Sequence, residues 1–373
     1  MDKPLAGLKV VELARILAGP WAGQLLADLG AEVVKVERPG TGDDTRRWGP
    51  PFAPDGTAAY FHACNRGKSS VAIALETDEG QTQLRALAAE ADILIENFKV
   101  GGLARYGLDY ESLSEVNPRL VYCSITGFGQ TGPYAGRAGY DFIIQGMGGA
   151  MSLTGEPDGP PQKSGVAYAD LFTGLYAGVA ILAALRDRDR TGRGAHIDMA
   201  LLDTQVGVLA NQAVGWMVSG EVPHRMGNGH LNLVPYQAFR AADGEVIVAV
   251  GNDAQFARLC AILGMSALSQ DERFRTNPAR VVNREALIPQ LEAAIALRRI
   301  GEFSAALEAA GIPAGPINNV DEVFADPQVV HRGMRLRGDT GGLASPIVID
   351  GIRQVAERAA PELDADRAAV LGR

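Results

Sequence analysis

The chain has 373 residues, 47% of them apolar and 21% charged, with a formal net charge of −9. That length exceeds what one core usually supports, so two domains are expected, and the composition is that of a packed globule rather than a disordered or fibrous chain. The acidic balance argues against a sequence-independent nucleic-acid binder, which needs clustered Lys and Arg to neutralise phosphates.

Residues Met1 to Leu8 hold no basic stretch followed by an apolar run, and no apolar run approaches the roughly 18 residues of a membrane span; a cytoplasmic location without a membrane partner is expected. Leu8 to Leu13, Pro20 to Leu29 and Ala31 to Glu37 read as strand, helix and strand, with Pro20 suited to a first helical turn and Gly30 to a C-terminal cap. The turn from Ala14 to Gly23 has no G-x-G-x-x-G, so no NAD or FAD site is expected there. A strand at Ser70 to Leu75, a helix at Asp78 to Glu90, a strand at Ile93 to Glu96 and another at Leu120 to Ile125 follow. This alternation predicts a mostly parallel sheet with helices on both faces, and ligands at the carboxyl ends of its strands.

Gly132 to Ser164 is rich in Gly and Pro and reads as a long functional loop. It leads into Asp170 to Leu182, an apolar helix expected to be buried, whose Gly174, Ala177 and Gly178 let another element approach. That helix stops at the turn Arg190 to Gly194, before a strand at Ala195 to Met199 and a helix at Leu201 to Val218. Beyond the connector Arg225 to Pro235, a hairpin at Tyr236 to Gly251 turns at Asp243-Gly244. Helices at Ala254 to Leu263, Arg284 to Leu297 and Gly301 to Ala310 complete a smaller α+β domain.

Cys64, Cys123 and Cys260 are isolated and read as core residues; the five histidines are scattered without HExxH, so neither a disulfide framework nor a metal site is expected. No G-x-S-x-G elbow is present, which argues against a serine hydrolase. The remaining chemistry lies with acids. Asp170, between a Gly-rich loop and an apolar helix, is either an N-cap or a carboxylate held at a helix N-terminus for reaction. Arg38, Arg66, Lys68 and Arg105 are either solvated surface charges or partners for the phosphates of a nucleotide-bearing ligand.

Taken in order over nearly the whole chain, a set of segments resembles the class III CoA-transferases, which include formyl-CoA transferase and carnitine CoA-transferase, with the α-methylacyl-CoA racemases as relatives. These segments are Val36-Glu37-Arg38-Pro39-Gly40, Gly42-Asp43-Asp44-Thr45-Arg46, Asn65-Arg66-Gly67-Lys68-Ser69, Ile95-Glu96-Asn97-Phe98, Gly127-Phe128-Gly129, Gly139-Tyr140-Asp141, Gly155 to Asp170, Thr191-Gly192-Arg193-Gly194 and Ala310 to Pro316. The resemblance implies a large Rossmann-like CoA-binding domain built from both chain ends, residues 1–200 with a return segment at 326–373. It also implies a linker helix at 201–225, a small α+β domain at 226–325, and an interlocked homodimer.

By the same resemblance Asp170 is the catalytic aspartate, acyl-CoA and small carboxylic acids are the substrates, and CoA is the group carried. Ile16, Arg38, Lys68, Asn97, Phe98, Arg105, Tyr106 and Arg137 are expected to line the CoA site, with Tyr140 near the thioester. Gly148, Gly149 or the turn Gly227-Asn228-Gly229 is expected to supply oxyanion donors or a lid. The racemase branch carries a His where Tyr140 stands, and a phenol is a poor substitute for an imidazole poised near neutrality; a CoA-binding protein without catalysis has no need of Asp170. Leu17 replaces a glutamine of formyl-CoA transferase, which argues against oxalate and formate, and Ala360 to Asp366 lacks the Leu-Gly-Glu-His-Thr usual in the family. The stretch from Gly139 to Gly165 looks most like relatives using succinyl-CoA or other small dicarboxylic acyl groups, with Arg15, Arg46, Arg47 or His230 as candidates for a distal carboxylate.

Overall fold

The structure, a computed structural model, describes residues 3–338 and 341–372. Met1, Asp2 and Arg373 lie outside the described residues, as do Asp339 and Thr340 within the predicted return segment. Two compact units are present. One comprises residues 1–151, 163–221 and 327–373, the other residues 152–162 and 222–326.

The first unit runs β1 (Lys9–Glu12), α1 (Ala18–Asp28), β2 (Glu32–Glu37), α2 (Ala59–His62), β3 (Lys68–Ala72), α3 (Asp78–Glu90), β4 (Ile93–Glu96), α4 (Tyr110–Val116), β5 (Val121–Thr126) and α5 (Asp141–Met147). After α6 (Ala150–Leu153) at the junction come α7 (Tyr168–Thr191), β6 (Ala195–Ala200), α8 (Leu201–Gly207) and α9 (Ala210–Ser219). Six parallel strands form one sheet in the order β3-β2-β1-β4-β5-β6, a Rossmann-like arrangement. The chain winds outward from β1 to β3, then returns to β4 on the other side of β1, so the carboxyl ends of β1 and β4 flank the switch point where such sheets leave a crevice.

Both sheet faces are covered, so strands read as near-continuous apolar runs: Ile93, Leu94 and Ile95 of β4 are all fully buried. Successive side chains alternate faces. Val10, Val33 and Ile93 pack with Leu26 of α1 and Ile181 of α7; Val11, Val36 and Leu94 pack on the opposite side with Leu84 and Ala88 of α3.

α7 lies against α1 through its glycines. A Cβ on Gly174 would stand 2.6 Å from the Ala18 carbonyl oxygen, and one on Gly178 would stand 2.7 Å from Leu25 Cδ2. Contrary to the expectation of a buried helix, the other side of α7 exposes Phe172, Leu175, Tyr176 and Val179. The helix is also longer than expected, and among the described residues it is the one long and apolar enough to cross a membrane by length and composition alone, a property that apolar core helices share.

Further differences have local causes. The expected loop from Gly132 to Ser164 contains α5 and α6, because the short run Phe142-Ile143-Ile144 forms a helix amid the glycines. The expected helix at Leu201 to Val218 is two, broken before Ala210 at φ +45°. β3 begins at Lys68, whose charge hides a strand position paired with Val33. Ala360 to Asp366 covers the sheet edge. Asp364 and Asp366 accept the Ala72 and Ser70 backbone N–H groups at 2.8 and 2.9 Å, at β3, the outermost strand of the sheet.

The second unit pairs β7 (Tyr236–Ala241) with β8 (Gly244–Ala249) as an antiparallel hairpin, and β9 (Ala314–Pro316) adds to β8. Its core joins Phe239, Val246 and Val248 of the sheet to Leu259 of α10 (Asp253–Leu263), with Leu287 and Leu291 contributed by a later helix, Arg284–Ile295.

Candidate active site

Loops leaving β1, β4 and β5 converge on a cleft of about 450 Å³ at the switch point, in the first unit. Ile16 and Leu17 come from the β1 loop, Phe98 from the β4 loop, and Gly127 and Tyr140 from the two ends of the β5 loop; Asp170 of α7 completes the wall. That last loop closes tightly because its ends are glycines: a Cβ on Gly127 or Gly139 would lie 2.6 Å from the other's Cα. Four cations, Arg15, Lys99, Arg105 and Arg137, line the same cleft. Arg105 lies over Tyr106 at 4.5 Å and Arg137 over Tyr134 at 4.5 Å, which holds the guanidinium groups without neutralising them.

Asp170 is the third residue of α7 and only 9% exposed. Its own carboxylate accepts no hydrogen bond among the described residues. The α7 N-terminus is satisfied from outside instead: Asp141 Oδ1 accepts the Ala169 and Asp170 N–H groups at 3.0 and 3.4 Å, and Gln145 Nε2 donates to Asp141 Oδ2 at 2.7 Å. Asp141 therefore does the capping, which sets aside the reading of Asp170 as a cap. Burial, with the Asp141 charge adding to it, pushes the Asp170 carboxyl up to about 7. The Asp170 charge in turn acts on Tyr60, whose phenol burial first and that charge second push up to about 12.

The β1 loop is pinned residue by residue. Lys35 Nζ donates to the Ala14 carbonyl at 2.9 Å, the Asn97 amide brackets Arg15 N–H and C=O at 3.0 and 2.6 Å, and the Ile16 N–H points at both oxygens of Asp43 at 3.3 and 3.4 Å. Glu96, which sequence reasoning passed over, supports the β4 loop by accepting the Phe98 N–H at 2.7 Å; burial pushes its carboxyl up to about 7.

Of the residues singled out from sequence, the cleft gathers Asp170, Tyr140, Arg15, Ile16, Leu17, Asn97, Phe98, Arg105 and Arg137. Lys68 is not among them. It is fully buried, donating to Glu12 at 2.9 Å and to the Pro20 carbonyl at 2.8 Å, so it holds the core and meets no phosphate. Gly148 and Gly149 do not offer oxyanion donors, because their N–H groups bond to Ile144 and Gly146 carbonyls as α5 ends, and a Cβ on Gly148 would strike Gln205. Arg38 shares Asp44 with Arg15 and lies outside the cleft lining, as does Tyr106, which packs toward the core beneath Arg105. Arg66 is locked to Asp28 at 2.6 Å and Arg46 to Glu37 at 2.7 Å, so neither is free to take a distal carboxylate. Arg47 is exposed. His230 and Gly227-Asn228-Gly229 belong to the second unit, where His230 Nδ1 accepts the Asn232 N–H at 3.0 Å. Lys99 is the cleft cation that sequence reasoning missed; its one sequence signal is its position after Phe98. Among the described residues no group of three or more His, Cys, Asp or Glu could hold a metal ion.

A cation-lined crevice at the switch point, ending on a largely buried carboxylate, is the kind of site in which an α/β enzyme binds an anionic substrate. The chain belongs to CoA-transferase family III, whose profile matches residues 5–367. It is 54% identical to a succinate–glutarate CoA-transferase of Agrobacterium fabrum, covering 99% of this chain and 95% of that one. It is 45% identical to the succinyl-CoA:glutarate CoA-transferase of Homo sapiens, over 89% of this chain and 76% of that one. A CaiB/BaiF family protein from Brucella suis, solved by crystallography, superposes with a TM-score of 0.90 at 57% identity, covering 100% and 99% of the two chains.

Proposed function

We propose that this CoA-transferase moves CoA from a small dicarboxylic acyl-CoA, succinyl-CoA foremost, to a dicarboxylic acid such as glutarate, through covalent intermediates on Asp170. The observation that carries this is the Asp170 carboxylate: buried, unbonded by its neighbours, and opening on the cleft that holds four cations. The names of the relatives support the substrate class.

The Asp170 carboxylate attacks the thioester carbonyl and expels CoA thiolate, leaving a mixed anhydride. The thiolate attacks the aspartyl carbonyl and releases the donor acid, leaving an aspartyl-CoA thioester. The acceptor carboxylate opens that thioester, and the thiolate returns to the acceptor's acyl carbon, freeing Asp170. No water or proton is consumed, and each step keeps one acyl group activated. The N-terminus of α1 opens on the cleft at Leu17 and Ala18, where N–H groups without helical partners stabilise the developing oxyanions. Desolvation of Asp170 strips a carboxylate of the hydration that makes it a poor nucleophile in water. Arg105, Lys99 and Arg137 meet the CoA phosphates, and Arg15, beside Ile16 and paired with Asp44 at 2.9 Å in a partly exposed contact, exchanges that partner to meet a distal carboxylate.

The chain is further proposed to work as a homodimer in which the exposed apolar side of α7 is covered, since Phe172 and Leu175 border an apolar groove with Trp21 and Leu25. Light scattering is expected to give twice the mass of the 39.3 kDa chain; a monomer rejects this part.

The test of the reaction mixes the protein with succinyl-CoA and glutarate, among other pairs, and follows CoA exchange and protein mass. Exchange with a hydroxylamine-sensitive adduct on Asp170, both absent in Asp170→Ala, is expected. Exchange undiminished in Asp170→Ala overturns the reading, and α-proton exchange with deuterated water without CoA transfer assigns the chain to the racemase branch.

A further inference from the structure

Ile16 sits in the cleft wall with φ +74°, in the left-handed region. Among the described residues three other non-glycines share positive φ, Ala210, Asp350 and Asp364, and none of them is β-branched. A β-branched side chain in this region is a backbone outlier, held only where its surroundings over-determine it. Here the two preceding residues, Ala14 and Arg15, are fixed by hydrogen bonds from Lys35 and Asn97, while the Ile16 N–H is received by Asp43.

Asp43 is itself fully buried. Lys35 Nζ lies 2.9 Å from its Oδ2, and Thr45 donates to Oδ1 through its N–H at 3.0 Å and its hydroxyl at 2.8 Å. The Asp43 N–H is in turn held by Glu37 Oε2 at 2.8 Å. Lys35 also donates to Glu12, which Lys68 meets from the other side, so two acids and two lysines form a neutral cluster with no exposed side chain. Such a cluster contributes little to stability compared with apolar packing, which leaves its geometric output, the fixed β1 loop, as its distinguishing consequence.

Resting on the aspartyl mechanism above, we infer that Asp43 is a positioning residue for the transfer reaction: anchored by Lys35, it holds Ile16 in the left-handed conformation that shapes the cleft wall preceding the α1 N-terminus. When the anchor is removed, Ile16 relaxes toward the extended or right-handed regions open to it, and Leu17 and Ala18 move from the reacting carbonyl. The loss falls on the covalent steps rather than on the distant phosphate contacts. Glycine, which enters the left-handed region without a Cβ penalty, offers a direct rescue.

The experiment measures kcat and KM for CoA exchange in the full chain carrying Asp43→Ala, and the same change combined with Ile16→Gly, at equal folded fraction by circular dichroism. The expected result is a kcat lower by about tenfold for Asp43→Ala, equivalent to about 1.4 kcal/mol, with KM for acyl-CoA within about twofold. The double variant is expected to return to within about threefold of the parent kcat. Parent-like kcat in Asp43→Ala, or a double variant no faster than the single one, overturns the inference. If Asp43→Ala does not fold, Asp43→Asn keeps the shape and an acceptor for Ile16 while removing the charge facing Lys35. It is then read in the same cycle with the same two refuting outcomes. Asp170→Ala runs alongside as a separate control, since exchange persisting there indicts the aspartyl mechanism, whereas failed rescue with Asp170 essential indicts the anchor alone.

Discussion

Replacing Asp170 by Asn is expected to make the protein more stable at the pH where it works, while abolishing transfer. Burial and the Asp141 charge raise the Asp170 carboxyl from 3.8 to about 7. The folded chain therefore holds an extra proton between those two values, and stability falls as pH rises through this window, with the whole loss present above it. A shift of about three units corresponds to about 4 kcal/mol at pH 8 and to about 0.6 kcal/mol near pH 4, where the folded carboxyl keeps its proton and the unfolded one has lost it in about half of the chains. The α7 N-terminal dipole works in the opposite sense and trims the figure by about 1 kcal/mol. Asn keeps the shape and has no charge to desolvate, so the variant's advantage should grow with pH. Urea unfolding of parent and Asp170→Asn at pH 4.5, 6 and 8 measures it directly. Equal stability of the two proteins at pH 8, or a gain as large at pH 4.5 as at pH 8, would refute the account of a desolvated carboxylate.

Asp141→Asn preserves an acceptor for the Ala169 N–H but removes the negative charge that adds to the Asp170 shift; the acid limb of the kcat profile, which reports Asp170 ionisation, should move to lower pH. An unmoved limb would show that burial alone sets the value. Gly174→Ala places a Cβ 2.6 Å from the Ala18 carbonyl, which no side-chain rotation relieves; about 1–3 kcal/mol of stability should be lost as α7 is forced from α1, with Asp170 displaced and kcat reduced. Thermal melts and CoA-exchange rates of that variant, compared with Gly192→Ala at the far end of α7, separate a site-specific effect from simple loss of fold.

The parallel sheet was legible because strands buried on both faces carry unbroken apolar runs, as in Ile93-Leu94-Ile95, and because helical stretches such as Asp78 to Glu90 alternate with them. Asp170 stood out as a lone acid where a Gly-rich loop meets an apolar helix. Lys68 misled for the opposite reason. A lysine at a strand start looks like surface charge, and nothing local reveals that Glu12, 56 residues earlier, draws it into the core. Gly148 and Gly149 resembled a donor loop, yet their N–H groups are consumed by the end of a helix that sequence did not suggest. Asp141's capping role and the positive φ of Ile16 arise from contacts across 28 and 27 residues respectively, beyond any motif of adjacent positions.

A parallel sheet ordinarily ends in a strand whose spare amides invite another chain to pair with it. Here carboxylates from residues 364 and 366 occupy those amides along β3. Growth of the sheet from that side is thereby blocked without a proline or a bulge. Any pairing of this sheet with a further strand is confined to its opposite edge, at β6.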